Sequence, residues 1–213
     1  MRELAANIMI KPLSRGRPAD PGKQQLQKEK LLAAAQALLA TKPYREVTIR
    51  DIADYAGLNS AMVRYYFKNK EGLFLALLDR MSKQHFLDMK QISTQHEPIK
   101  KFIHFMLKML TQNNSMARLI HDEFANDNSK LGEAFIERFP KRMAKILPEL
   151  VKANTFITDD QKAKYAAFSL VSMIIMPFVG RSVREGAWGI DDDELASPEW
   201  IEHIYSMFIS GCR

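Results

Sequence analysis

Arg64, Tyr65 and Tyr66 stand side by side in the stretch SAMVRYYF, residues 60–67, and an arginine beside two tyrosines is a set that can hold nucleic acid. A guanidinium donates two parallel hydrogen bonds to guanine O6 and N7. A phenol gives its hydroxyl to a phosphate while its ring packs on a scaffold. Val63 and Phe67 lie one helical turn apart and can share an inward face, which turns Ser60, Ala61 and Arg64 outward. Small residues in the first turn let such a helix approach base edges. Lys70, at the start of the next helix, can add a phosphate contact. Each of these side chains alone reads as ordinary amphipathic surface; together they point to the major groove of double-stranded DNA.

Two short helices must position that set. Thr48 and Asp51 in TIRD form a capping-box pattern, and Ile49, Ile52, Ala53 and Ala56 follow on one apolar face. Gly57 fits the helix stop, where positive φ is cheap, and Asn59 fits the cap of the next helix, which runs to Phe67. The spacing predicts a helix-turn-helix, preceded by a helix from Lys23 to Thr41 and followed by one from Asn69 to about Gln91. Further helices are expected near 97–112, 115–127, 130–152, 159–185 and 198–210, with a break at WGIDDDELASP. Nine glycines, nine prolines and no long alternating Val/Ile/Thr run favour an all-α chain. The expected organisation is a flexible basic arm (1–22), a helix-turn-helix DNA-binding domain (23–84) and a helical regulatory and dimerisation domain (85–213).

Charge agrees with one-ended binding to a polyanion. Residues 1–80 hold 14 Lys/Arg and 8 Asp/Glu, and residues 81–213 hold 17 of each, so the whole net charge of +6 lies in the front section. Catalysis finds little support. The histidines at 85, 96, 104, 121 and 203 are scattered, HDEF (121–124) lacks the i, i+4 pair of a helical zinc site, and no Gly-rich phosphate loop or nucleophile elbow occurs. The expectation is a protein that is no enzyme and has no metal or cofactor. The single cysteine, Cys212, excludes an internal disulfide and suits a reducing cytoplasm. The N-terminus has no secretory pattern. Residues 166–180, the most apolar stretch, contain Pro177, fall short of a bilayer span and read as a buried helix, with no membrane partner expected.

The stretch from Thr48 to Phe74 resembles the DNA-binding domain of the TetR (tetracycline-repressor-like) regulators. The likeness rests on Thr48, Ile52, Ala53, Gly57, Val63, Tyr65, Tyr66, Phe67, Lys70, Glu71 and Leu73, and it covers about residues 24–84. It implies that Thr48 and Arg50 touch the phosphate backbone, with Ser60, Ala61, Met62 and Arg64 facing bases. Tyr65, Tyr66 and Lys70 would hold backbone. The family usually has tyrosine at the position of Arg64, so a phosphate clamp has here become either a base reader or a cationic clamp. RGRP (15–18) is the core of minor-groove hooks, with a disordered cationic tail as the plainer reading.

Residues 85–213 contain ten phenylalanines and eight methionines, many at helical spacing. Most serve core packing, yet such adaptable side chains also suit an apolar pocket. The resemblance implies one, with Phe102, Phe105, Met109, Phe124, Phe168 and Met173 as candidate walls and His121 or Arg118 as a polar handle. A homodimer on a near-palindromic operator follows from the small footprint of one reading helix. Its expected interface is the helix at 159–185 with the last helix, where Trp200, Ile204, Tyr205 and Phe208 form an apolar stripe. The expected function is a ligand-responsive transcriptional regulator, most simply a repressor released by an apolar small molecule. The alternatives are a ligand-independent architectural DNA-binding protein and a helical protein-interaction module.

Overall fold

The structure, a computed structural model, describes residues 20–112 and 130–212. The RGRP arm with Arg15, Arg17 and Pro18, the expected helix at 115–127, and Arg118, His121 and Phe124 lie outside the described residues. Among those described there are eleven helices and no strand: α1 (Pro21–Leu39), α2 (Ile49–Ala56), α3 (Ser60–Phe67), α4 (Lys70–Ile92), α5 (Pro98–Gln112), α6 (Lys130–Arg138), α7 (Pro140–Asn154), α8 (Asp160–Val179), α9 (Arg181–Trp188), α10 (Asp192–Leu195) and α11 (Pro198–Gly211). The chain is all-α.

Local chemistry sets the first four. Asp20 caps α1, accepting the Gly22 amide at 2.9 Å, with Pro21 in the first turn. Thr48 and Asp51 close a reciprocal capping box on α2: the Asp51 amide donates to Thr48 Oγ1 at 3.1 Å and the Thr48 amide to Asp51 Oδ2 at 2.9 Å. Gly57 ends α2 at φ 63°. Asn59 then caps α3, accepting the Ala61 amide at 2.8 Å. Leu31, Ala35, Val47, Ile52, Val63, Leu73 and Leu77 are fully buried where α1 to α4 meet.

The α3–α4 junction is unusually tight. Lys68 sits at φ 68°, ψ −51°, and the Asn69 amide donates to the Phe67 carbonyl at 2.9 Å, which makes a γ-turn. A residue with a Cβ holds that conformation at a cost on the order of 1–3 kcal/mol. One turn on, a Cβ at position 72 would fall inside the Phe67 carbonyl oxygen, so the approach of α3 to α4 requires Gly72.

Helix α4 runs unbroken through the expected domain boundary near residue 84. Arg80 ties it back to α1, with Nη1 3.1 Å from Glu29 and Nη2 2.6 Å from the Gln36 side chain. Ser82 ties it forward: its hydroxyl donates to the Arg138 carbonyl and accepts from Arg142 Nη1, both at 2.9 Å. In the C-terminal part α5 is the central helix, touching α4, α7, α8, α10 and α11 and burying Ile99, Phe102, Ile103 and Leu107.

Four expectations are corrected. The helix expected over 130–152 is two, because Pro140 disfavours helical backbone at Phe139 (φ −117°, ψ −74°) and starts α7 afresh. The helix expected over 159–185 breaks at Gly180 after Pro177 has removed a backbone donor. The break expected at WGIDDDELASP (188–198) contains a short helix, α10, with its own capping box of Asp191 and Glu194. Finally, 166–180 is no buried helix. By length and composition alone α8 could cross a membrane, and most of its apolar stretch is not buried inside this chain. Tyr165, Phe168 and Met176 are exposed on it.

Candidate nucleic-acid interface and apolar cavity

On α3, Val63 is fully buried while Ser60, Ala61, Arg64 and Tyr65 are exposed, Tyr65 at 69%. Thr48 and Arg50 are exposed at the start of α2, and Arg50 makes only a loose i, i+4 pair with Asp54 at 3.7 Å. These six residues are free to meet an outside partner. Arg64 is exposed on the same face of α3 as Ser60 and Ala61, and the backbone turn at Lys68 adds to Arg50 and Arg64 a third exposed cation that sequence reading overlooks.

Three of the expected contacts are placed differently. Lys70 Nζ donates to the carbonyls of Tyr44 and Val47, each at 2.7 Å, and more weakly to that of Arg45 at 3.4 Å. The ammonium also lies 4.2 Å from the centre of the Tyr44 ring. Burial pushes its pKa down, partly offset by Asp51. The group that reads as a phosphate clamp therefore braces the loop leading into α2. Tyr66 is half-buried; its hydroxyl donates to Gln27 Oε1 at 2.7 Å and its ring meets Tyr65 edge-on at 4.9 Å. Met62 is half-buried against the core, because its position on α3 faces Val63's side rather than solvent. Asp51 has a matching internal role. Lys42, 2.8 Å away, and the Thr48 amide hold its carboxyl at about 2, well below the usual carboxylate range.

Helices α4 to α8 line an apolar cavity of about 460 Å3, open to solvent beside Phe168 and Lys164 and within the range of small-molecule sites. Its walls include Met106 and Met109 on α5, Phe135 on α6, Met143 and Leu147 on α7, and Ala167, Phe168 and Val171 on α8, with Phe139 between α6 and α7. His85 of α4 also lines it. Of the expected walls, Met109 and Phe168 are present. Phe102 is in the solid core, and Met173 packs half-buried against that core outside the lining. Phe105 lines a neighbouring cleft of about 380 Å3 with Arg80, Gln84 and Asp88; His85 and Met109 are common to cleft and cavity. His85 was legible only as one scattered histidine, and nothing in its neighbourhood of sequence marks it.

The expected interface stripe is largely internal: Ile204 and Phe208 are 2% and 5% exposed, facing the chain's own core, and Trp200 and Tyr205 are half-buried. The period of α11 shows that a stripe exists but not which side of it finds cover. The exposed apolar residue on this helix is Met207. Among the described residues no group of three His, Cys, Asp or Glu side chains could hold a metal ion.

Residues 31–77, from the second half of α1 through α2 and α3 into the start of α4, match the family of bacterial regulatory proteins, tetR family. Over 191 residues the chain is 25% identical to the uncharacterized HTH-type transcriptional regulator YvkB of Bacillus subtilis (strain 168), an alignment covering 86% of this chain and 95% of that one. Over 54 residues it is 39% identical to the HTH-type transcriptional regulator EthR of Mycolicibacterium smegmatis, a quarter of each chain. Its fold is similar to that of the transcriptional regulator FadR from Bacillus subtilis, solved in complex with stearoyl-CoA, with a TM-score of 0.70 at 18% identity over 87% of this chain and 99% of that one.

Proposed function

We propose that this chain, a member of the TetR family of transcriptional regulators through its N-terminal domain, is a homodimeric repressor released from a near-palindromic operator by a mostly apolar small molecule. Its relatives are named as HTH-type transcriptional regulators, and in this chain DNA binding falls to the α2–α3 pair. Thr48 and Arg50 meet phosphates, Ser60 and Ala61 lie against bases, Arg64 reads a base pair, and Tyr65 holds the backbone. The site of action is the cytoplasm.

One observation carries the regulatory half: α4 belongs to both ends. Leu73 and Leu77 sit in the core that supports α3, and His85, two turns further along the same unbroken helix, lines the cavity. Gly72 and His85 are about 20 Å apart along the axis at helical rise. A ligand that displaces α4 at the cavity therefore moves the element against which α3 is fixed by the Lys68 turn. The likeness to a fold that accommodates stearoyl-CoA in FadR is consistent with an apolar effector. Dimerisation accounts for the uncovered face of α8, where Tyr165, Phe168 and Met176 are exposed with Met207 on α11.

The test is selection of bound sequences from genomic or random DNA, followed by light scattering and titration of the protein–operator complex with apolar compounds. The reading predicts a two-fold symmetric site with half-sites about one or two DNA turns apart and a ligand that raises the melting temperature while lowering operator affinity about 5–150-fold. A ligand preferring neither state shifts nothing. Specific DNA binding that no ligand alters would leave an architectural protein instead. Absence of specific binding would leave an interaction module.

A further inference from the structure

His85 is 4% exposed, and neither of its ring nitrogens has a hydrogen-bond partner. Its ring is held edge-on to Phe86 at 4.9 Å and lies 5.3 Å from Phe105 and 5.8 Å from Phe139, so its direction is set by packing alone. A buried polar group without a partner is unfavourable, and among the described residues this one borders a cavity whose lining otherwise contains a single polar side chain, the exposed Lys164. Resting on the reading of the chain as ligand-responsive, we infer that the cavity takes an uncharged, largely apolar molecule carrying one group that both donates and accepts a hydrogen bond, an alcohol or amide, seated on His85.

The charge state follows from the surroundings. Burial holds the His85 pKa at about 4, with Arg142 pressing it further down and Asp88 opposing. At neutral pH the imidazole is therefore uncharged and offers one N–H donor and one bare nitrogen acceptor. A hydroxyl or an amide answers both. A carboxylate can accept from the N–H, but it has no proton for the bare nitrogen and brings a full charge into an apolar lining whose cation among the described residues, Lys164, is exposed to solvent. A cationic ligand meets no carboxylate among the described lining residues and has Arg142 and Lys164 nearby. Pro148, another wall residue, cannot donate to the Ala144 carbonyl one turn back, so a second acceptor is left without its helical donor in the same wall.

The experiment compares four probes of one chain length, dodecan-1-ol, dodecanamide, dodecane and dodecanoate, each below its aggregation limit, against the full chain. Binding is followed by melting temperature and by the ring-nitrogen NMR shifts of His85. The alcohol and the amide should bind more tightly than the alkane and the carboxylate, and only they should move the His85 nitrogens towards hydrogen-bonded values. His85→Phe should weaken the alcohol at least tenfold while leaving the alkane equal or stronger, and His85→Gln, which keeps a donor and an acceptor, should retain the alcohol. Equal binding of all four, preference for dodecanoate, no binding at all, or an unchanged alcohol affinity in His85→Phe would overturn the assignment. Binding with the expected pattern but without release of operator would refute the regulatory reading and leave the ligand class standing.

Discussion

The Nζ of Lys70 lies 2.7 Å from the carbonyl oxygen of Tyr44 and 4.2 Å from the centre of the same residue's ring. A cation at the start of α4 thus holds the loop that delivers Thr48 to the cap of α2. Replacing Lys70 by methionine keeps the stem and removes the donors. It is expected to destabilise the N-terminal helices by about 1–3 kcal/mol and to weaken operator and unrelated DNA alike. A Lys70→Met protein with an unchanged melting temperature would return Lys70 to the role of a phosphate contact.

Arg64 should behave differently. It is exposed on α3 and makes no internal contact that α3 depends on. Arg64→Ala is expected to leave the melting temperature unchanged, to cost ~1–3 kcal/mol of operator affinity and to relax the preference at one base pair. Binding to a library of single-base operator variants checks this. Uniform loss across the library would make Arg64 a phosphate clamp.

Gly72 is a steric prediction. Its missing Cβ is what lets the Phe67 carbonyl approach α4. Gly72→Ala should cost ~1–3 kcal/mol through overpacking and, by shifting α3, should impair operator binding beyond the loss of folded protein. Calorimetry with a binding assay on the folded fraction separates the two.

Asp51 gives a pH dependence with a definite sign. Its carboxyl is held at about 2 when folded, below its ordinary value of 3.8. The stability it confers is therefore complete above about pH 4 and is lost as pH falls from there through about 2. Between pH 5 and 2 the melting temperature of the native chain should fall more steeply than that of Asp51→Asn. Parallel curves would show that the carboxylate's bonds to Lys42 and Thr48 contribute nothing in solution.

For the dimer, the exposed side of α8 is the place to intervene. Tyr165→Glu with Met176→Glu should yield a folded monomer by light scattering and abolish high-affinity operator binding. The same charge at Val183 of α9, exposed but off that helix, should do neither.

The first four helices are legible in the sequence because their signals are local. Caps at Thr48 and Asn59 and the stop at Gly57 act over three or four residues, and the structure has all three. Which side chains remain outward is less local. Tyr66 and Lys70 find partners 39 and 26 residues earlier, Gln27 and Tyr44, and no period in α3 or α4 announces them. The cavity is harder still. Met109 and Phe168 are walls and Phe102 is not, although all three look alike in spacing, because enclosure depends on five elements meeting. His85 has no motif; its character comes entirely from the aromatic rings around it.

The bracing role of Lys70 also bears on how strongly salt should weaken DNA binding. Protein cations that neutralise phosphates release condensed counter-ions, and log affinity falls against log salt by about 0.9 for each phosphate so neutralised. Lys70 and Lys42 are both engaged inside the protein, whereas Arg45, Arg50, Arg64 and Lys68 are exposed. Among the described residues of the α2–α3 surface, the ion release should accordingly track those four cations, with Lys42 and Lys70 contributing none.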